Sequence, residues 1–273
     1  MAQIKFYKYV TAGDDFILID NRDGAYDQYM NNTKLKRRMC DRNFGIGANS
    51  MLELKSHVGF DYELVYHTSA GNAQGVTGNG SRCALAHVAS KMESYSLGQK
   101  IRYLAADGAH VGMYDSTNKM VTISMKDVHE VIKIGQNGDG FFADSGSPNF
   151  VKFVKDKEEV DLLEEGRHIS KQKRYLSQKW PVTVNFVEVK HHQLQPRCYD
   201  PEKHGELFAC GTGSVAIAAA YAAKMEMATG PHTTTVKWRG GPVTVSFNIV
   251  GTKYTNIRLS GTIEYVYHGY LDV

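Results

Sequence analysis

Eight stretches of the chain either alternate apolar with polar residues or run through β-branched and aromatic ones: IKFYKYV (4–10), FILID (16–20), YELVYH (62–67), MVTISM (120–125), VTVNFVEV (182–189), TTTVKW (233–238), VTVSFNIV (243–250) and TIEYVYHGYL (262–271). Each predicts a β-strand. AGDD, NRDG, NGDG and RGG mark turns between them. Two longer stretches break the pattern, TGNGSRCALAHVASKME (77–93) and CGTGSVAIAAAYAAKME (210–226). The second is rich in alanine and has no polar stripe wide enough for a surface helix, so it reads as a helix buried on nearly every side. Alanine and glycine let a sheet approach such a helix closely all round. The expected fold is α+β, with two pseudo-symmetric halves, each a strongly curved, mainly antiparallel, barrel-like sheet around one central helix. The N-terminal half is expected over residues 1–128, closed by a returning strand at 263–273, and the C-terminal half over 129–262.

The two helical stretches are copies of one another. At an offset of 133 residues Gly78/Gly211, Gly80/Gly213, Ser81/Ser214, Ala86/Ala219, Ala89/Ala222, Lys91/Lys224, Met92/Met225 and Glu93/Glu226 are identical. A helix start carries backbone N–H groups without intrahelical partners and the positive end of the helix dipole. Glycines admit a ligand to those donors. Gly78–Asn79 and Gly211–Thr212 are therefore expected to be anion cradles for a carboxylate or phosphate, facing each other across one cleft. Glycine also serves tight helix–sheet packing, the plainer reading of either copy alone; the repetition favours the cradle. The residue before each cradle differs. Cys210 stands where a helix start stabilises a thiolate, a candidate base or nucleophile. Thr77 offers a hydroxyl that does not titrate near neutral pH.

Composition narrows the classes. The chain has 273 residues, 42% apolar and 22% charged, with six prolines, as an ordinary globular protein does. A net charge of +3 argues for neither nucleic acid nor membrane partners. No apolar run reaches the roughly 18 residues of a membrane span, and MAQIKFYKYV lacks a signal-peptide core. The basic run KLKRRMCDR (34–42) reads as the solvated face of a short helix. Cys40, Cys83, Cys198 and Cys210 show no CxxC spacing, so neither a metal site nor a disulfide framework is expected, and a cytoplasmic setting is. There is no HExxH or phosphate-loop motif, and no cofactor is expected.

YKYVTAGDDFILID, CDRNFGIGA, TGNGSRC, SGSPNFVKFV and ACGTG together resemble the diaminopimelate epimerase family over essentially the whole chain. The resemblance implies a fold of two pseudo-symmetric barrels, cofactor-independent inversion of an amino-acid α-carbon by two cysteines, a place in lysine biosynthesis, a small amino-acid-like carboxylate as ligand, and a homodimer. It assigns the second catalytic cysteine to Cys210 and an acidic partner to Asp200. The first catalytic cysteine falls on Thr77, and its histidine, in a GxPH motif, on Asn149. Substrate-binding positions fall on Asp14, Asn49, Thr68, Ser147, Thr183 and Asn185, beside the cradles Gly78, Asn79, Gly211 and Thr212. The arginine that holds the distal carboxylate falls on Pro201. The family's first thiol–histidine pair is thus missing as a unit, and several amides that would bind diaminopimelate are replaced.

Three functions follow from these departures. One is an isomerase or epimerase acting on another amino acid with Cys210 as its only thiol base, protonation coming from water held by Thr77 or from His67 or His204. A lone histidine is more often a satisfied core or surface residue. The second is an eliminase that removes the α-proton and expels a β-substituent. The third is a non-catalytic protein that binds a small carboxylate.

Overall fold

The computed structural model describes residues 2–135, 140–173, 181–191 and 193–273. The chain divides into two compact units, one of residues 1–123 and 261–273, the other of residues 124–260.

Unit 1 contains β1 (Gln3–Thr11), β2 (Asp14–Asp20), α1 (Asp27–Met30), α2 (Thr33–Cys40), β3 (Ser50–Lys55), β4 (Tyr62–Thr68), α3 (Gly78–Lys91), β5 (Ile101–Ala105), β6 (Gly108–Asp115) and β7 (Met120–Ser124). Unit 2 contains β8 (Ile132–Ile134), β9 (Gly140–Asp144), β10 (Pro148–Val154), α4 (Leu162–Ser170), β11 (Thr183–Lys190), β12 (Gln193–Asp200), β13 (Gly205–Leu207), α5 (Gly211–Lys224), β14 (Gly230–Trp238), β15 (Gly241–Val250) and β16 (Lys253–Thr262). The last strand, β17 (Glu264–Asp272), returns to unit 1 and pairs antiparallel with β1. The closing run TIEYVYHGYL is divided: Thr262 ends β16, and Ile263 leaves the ladder to donate its N–H to the Lys119 carbonyl. Of the NGDG turn, Asn137 to Asp139 lie outside the described residues.

The same pairing sequence occurs in both units. In unit 1, β1–β2 is antiparallel, β2–β3 parallel, β3–β4 antiparallel, β4–β5 parallel, and β5–β6 and β6–β7 antiparallel. Unit 2 repeats this order through β9–β10, β10–β11, β11–β12, β12–β14, β14–β15 and β15–β16. β8 lies antiparallel to β9 as β17 lies to β1. Parallel neighbours need a crossover, and each unit supplies a helix for each one: α2 and α3 in unit 1, α4 and α5 in unit 2. The sheets are therefore mainly antiparallel, with two parallel steps each that the strand pattern does not announce.

Each central helix is a core element. α3 is buried from Gly78 through Ala89 and packs against β1, β2, β3, β4 and β6. α5 is buried from Gly211 through Ala220 and again at Ala222, and packs against β9, β10, β11, β14 and β15. Contact with strands on so many sides requires small residues where backbones meet. A Cβ on Gly112 of β6 would stand 2.4 Å from Leu85 Cδ1 of α3 and 2.7 Å from the Thr122 carbonyl oxygen. No side chain fits there.

The basic run on α2 is not solvated throughout. Lys34, Arg37 and Arg38 are exposed, but Lys36 is buried. Its Nζ lies 3.2 Å from His67 Nδ1, and His67 Nε2 lies 3.0 Å from Glu53 Oε2. One positive charge of the run thus belongs to the interior of unit 1, where burial lowers the Lys36 pKa against the pull of Glu53.

Candidate active site

In unit 2, α5 begins at the end of a short loop that follows β13. Cys210 is its N-cap residue, and the sulfur does what a serine or aspartate oxygen does elsewhere: it accepts the Gly213 N–H at 3.2 Å. Thr212 Oγ1 stands 3.5 Å from the same sulfur. Because Thr212 Oγ1 accepts from Ser147 Oγ at 2.9 Å, its own hydrogen is free to point at Cys210. Ser145 Oγ donates to the Thr212 carbonyl at 2.9 Å.

Asn149 organises both serines. Its Nδ2 donates to the Ser147 carbonyl at 3.0 Å and reaches Ser145 Oγ at 3.3 Å and Ser147 Oγ at 3.4 Å. Asn185 Nδ2 donates in turn to Asn149 Oδ1 at 3.1 Å and to the Phe150 carbonyl at 3.1 Å. The bonds run in one direction, Asn185 to Asn149 to Ser147 to Thr212 to Cys210, and each donor strengthens the next. At the end of that chain is a half-buried sulfur. Ser214 Oγ fixes the helix turn behind it by donating to the Cys210 carbonyl at 2.7 Å while accepting from Trp238 Nε1 at 2.8 Å.

Electrostatics separate the four thiols. Cys210 is held below the ordinary thiol value, first by a hydrogen bond from Cys198 and then, against burial, by Thr212 and the Gly213 amide; the charge of Asp200 opposes them. Burial pushes Cys198 well above the ordinary value, and the neighbouring Cys210 and Asp200 add to the shift. Burial also raises Cys83, inside unit 1, and Cys40 is buried in the unit 1 core. Cys210 is the thiol placed to ionise.

Unit 1 builds a comparable helix start with different chemistry. Thr77 is the N-cap residue of α3, its Oγ1 accepting the Gly80 N–H at 3.0 Å. Asn79 Nδ2 reaches Asp14 Oδ2 at 3.3 Å, and Asn49 Nδ2 donates to Asp14 Oδ1 at 3.0 Å. Arg82, wholly buried one turn into the helix, donates to Asn79 Oδ1 at 3.1 Å and to Thr11 Oγ1 at 2.9 Å. Burial lowers its pKa to about 10, while the Asp14 carboxylate favours the charge. This helix start therefore already has a carboxylate of its own chain beside it.

The sequence-assigned residues sort into two groups. Cys210, Gly211, Thr212, Ser147, Asn149 and Asn185 meet around the α5 start, with Thr183 in register beside Asn149 and Asp200 at the end of β12. Thr77, Gly78, Asn79, Asp14 and Asn49 meet around the α3 start, with Thr68 paired to Ser50 on the adjoining strands. Asn149 is buried and its amide is fully committed to neighbouring side chains and carbonyls, so it positions the serines and does not exchange protons. His67 has both ring nitrogens engaged, by Lys36 and Glu53, inside unit 1. His204 is exposed at a turn, with φ of 49°. Sequence reasoning missed Ser145, Arg82 and Cys198. Cys198 precedes Asp200 by two positions on one strand, and that period-2 spacing was the available signal. Among the described residues, no group of three or more His, Cys, Asp or Glu side chains is arranged to hold a metal ion.

Residues 141–264, the stretch that holds the α5 start and its serine–asparagine support, match the family model described as diaminopimelate epimerase. A diaminopimelate epimerase of Flavobacterium psychrophilum is 35% identical over 97% of this chain and 98% of its own length. The chain belongs to the diaminopimelate epimerase family. A second member, from Chlorobaculum tepidum, is 30% identical over 94% of this chain and 97% of its own. Among solved structures, a phenazine biosynthesis protein of the PhzF family from Bacillus anthracis superposes with a TM-score of 0.76 at 14% identity over the whole of both chains. A hydroxyproline epimerase from Agrobacterium vitis does so with a TM-score of 0.71 at 14% identity, covering 98% of this chain and 92% of the other. The fold is that of the diaminopimelate epimerase-like proteins, and family and fold point to an isomerase of the epimerase and racemase class. No helix among the described residues is long and apolar enough to cross a membrane.

Proposed function

We propose that this protein is a cofactor-independent amino-acid isomerase in which Cys210 removes the α-proton of a substrate other than diaminopimelate. The observation that carries the reading is the N-cap sulfur: a half-buried thiol that accepts a helix amide and terminates a directed chain of donors. A carboxylate lying against the free amides of Gly211 and Thr212 brings its α-carbon to that sulfur, and the helix dipole stabilises the charge that develops on the carboxylate as the proton leaves. Asp200 makes the thiolate a stronger base, since a nearby negative charge raises its proton affinity.

Chemistry with a single thiol base follows from Thr77 standing at the family's first cysteine, since a threonine hydroxyl does not titrate near neutral pH. The altered substrate follows from Asp14, Thr68 and Thr183 standing at family amide positions, and from Pro201 standing at the arginine. Each lost charge-assisted bond to a dicarboxylate removes about 1.5–3 kcal/mol of binding.

Proton exchange tests the reading directly. Candidate L- and D-amino acids are incubated with the protein in D2O, and the α-proton is followed by NMR. The expected result is deuterium entering at the α-carbon, abolished in Cys210→Ala. A vinylic signal in place of exchange identifies elimination. Silence across a broad panel, with Cys210 inert to an alkylating reagent, sinks the proposal and leaves a carboxylate-binding protein.

The protein is further proposed to act as a homodimer. β17 pairs with β1 along one edge, and it exposes Tyr265, Val266, Tyr267 and Tyr270, an apolar run that a second copy covers. Light scattering should give twice the chain mass, and Tyr267→Asp with Tyr270→Asp should halve it. A monodisperse monomer of the unaltered chain refutes this.

A further inference from the structure

Cys198 is a wholly buried thiol with no part in the reaction as proposed so far. The β11–β12 register sets its Cα opposite that of Asn185, and directly opposed residues of an antiparallel pair project from the same face. That face lies under the start of α5: a methyl placed on Gly213 would stand 2.9 Å from Asn185 Oδ1 and 3.0 Å from Cys210 Sγ. From there the Cys198 thiol lies on the side of the sheet that meets the α5 start, and the two thiols push each other's acidity in opposite directions.

Resting on the reading of Cys210 as the base, we propose that Cys198 is a positioning residue whose S–H donates to the Cys210 sulfur from the sheet side, completing a set with the Gly213 N–H and the Thr212 hydroxyl on the helix side. Roles within the pair follow from exposure. A thiol with no solvent contact keeps its proton, and the half-buried one next to a helix start gives its proton up. An S–H is a weak donor to neutral acceptors but a better one to a charged sulfur. The Cys198 bond is therefore worth most when Cys210 is ionised.

The charged groups around the pair agree. Asp200 on β12 and Glu206 on β13 both oppose a negative charge at Cys198. Glu206 is itself neutralised by Arg197 at 3.0 Å and Arg239 at 3.5 Å. The β9–β10 turn contributes the uncharged Ser145, Ser147 and Asn149, while Asp144 beside them faces Lys126 at 3.2 Å. No cation among these side chains substitutes for the Cys198 donor.

The test is the pH profile of Cys210 alkylation by iodoacetamide, read by mass spectrometry of the peptide that contains it. The native protein is compared with Cys198→Val, which removes the donor, and Cys198→Ser, which keeps one. The native midpoint is expected below that of a free thiol. Cys198→Val should move it up by about one unit, making alkylation at pH 7 about tenfold slower, and Cys198→Ser should stay near the native profile. An unmoved profile in Cys198→Val overturns the proposal, as does an equal shift in both variants, which would indicate packing alone. If valine prevents folding, Cys198→Ala gives the same comparison against serine. No substrate enters this measurement. A flat result thus removes only Cys198, whereas absent α-proton exchange with a normal Cys198 effect removes only the proposed reaction.

Discussion

Gly213→Ala adds one methyl group at the place where helix α5, strand β11 and the Cys210 side chain meet. The new carbon would lie 2.9 Å from Asn185 Oδ1 and 3.0 Å from both Cβ and Sγ of Cys210. Unstrained carbon contacts fall at about 3.5–4.0 Å, so something must move by roughly half an ångström or more. Asn185 is held by Asn149 and by the Phe150 carbonyl, and Cys210 has one rotatable side-chain bond, so the sulfur yields. Overpacking of this kind costs about 1–3 kcal/mol, partly offset by the roughly 1 kcal/mol by which alanine outranks glycine in a helix. Stability should therefore fall by no more than about 2 kcal/mol, and the variant should fold.

The functional cost is larger in kind. The sulfur displaced from its 3.2 Å bond to the Gly213 amide loses a donor to a charged acceptor, worth about 1.5–3 kcal/mol. At 1.36 kcal/mol per unit, the midpoint of Cys210 ionisation rises by about one to two units, and the thiolate present at pH 7 falls roughly 10- to 100-fold. The assay is the iodoacetamide pH profile, run beside thermal unfolding and α-proton exchange. A folded Gly213→Ala protein with the native alkylation profile would falsify the view that the N-cap amide sets the acidity of this thiol.

Four further outcomes are expected. Cys210→Ala abolishes any exchange or turnover, whereas Cys83→Ala and Cys40→Ala retain it; equal activity in all three overturns the assignment of the base. Thr77→Cys alone does not confer diaminopimelate epimerisation, because Asp14, Thr68 and Pro201 remain, and recovery to the level of an ordinary family member shows those positions to be unimportant. Ser214→Ala strands the Trp238 indole N–H and should lower stability by about 1–3 kcal/mol in urea titrations; a change under 0.5 kcal/mol means the indole finds another acceptor. Burial works against the charges of Asp15, Asp20 and Glu53, yet Arg42 with Lys8, Arg22 with His87, and His67 with Asn21 hold each below the ordinary carboxylate value. Their stabilisation is complete above the unfolded-chain values near pH 4 and is lost as pH falls through the lower folded ones, so Tm should drop steeply below about pH 4, less so in Glu53→Gln, and an equal pH slope in that variant refutes the role of Glu53.

Much of this architecture was legible because it is carried by periodicity and by small residues. The alanine-rich segment after Cys210 has no face that tolerates water, and it is buried as its composition requires. The closing segment was legible as a strand from its β-branched and aromatic residues, and it pairs with β1. Parallel steps were not legible, since SMLELK, which forms β3, reads equally as part of a helix or a strand, and only the crossover decides its direction.

At the site, the helix starts and the threonine-for-cysteine exchange could be read from the repeat. The support beneath them could not. In sequence Asn149 falls on a catalytic position and Asn185 on a ligand position, but the two lie 36 residues apart and meet only once the strands are in register. His67 has the plainer of its two sequence readings, a buried histidine held between Lys36 and Glu53, and the lysine that holds it comes from a run read in sequence as a solvated face.

The two N-caps carry a broader consequence. An oxygen at 3.0 Å and a sulfur at 3.2 Å perform the same structural duty at equivalent turns, each tying down the amide three residues on. The scaffold asks only for an acceptor atom at that point and is indifferent to whether the atom can ionise. Exchanging threonine and cysteine there keeps an acceptor for that amide while altering what the position can do chemically, so the reactivity of the site is separable from the capping of its helix.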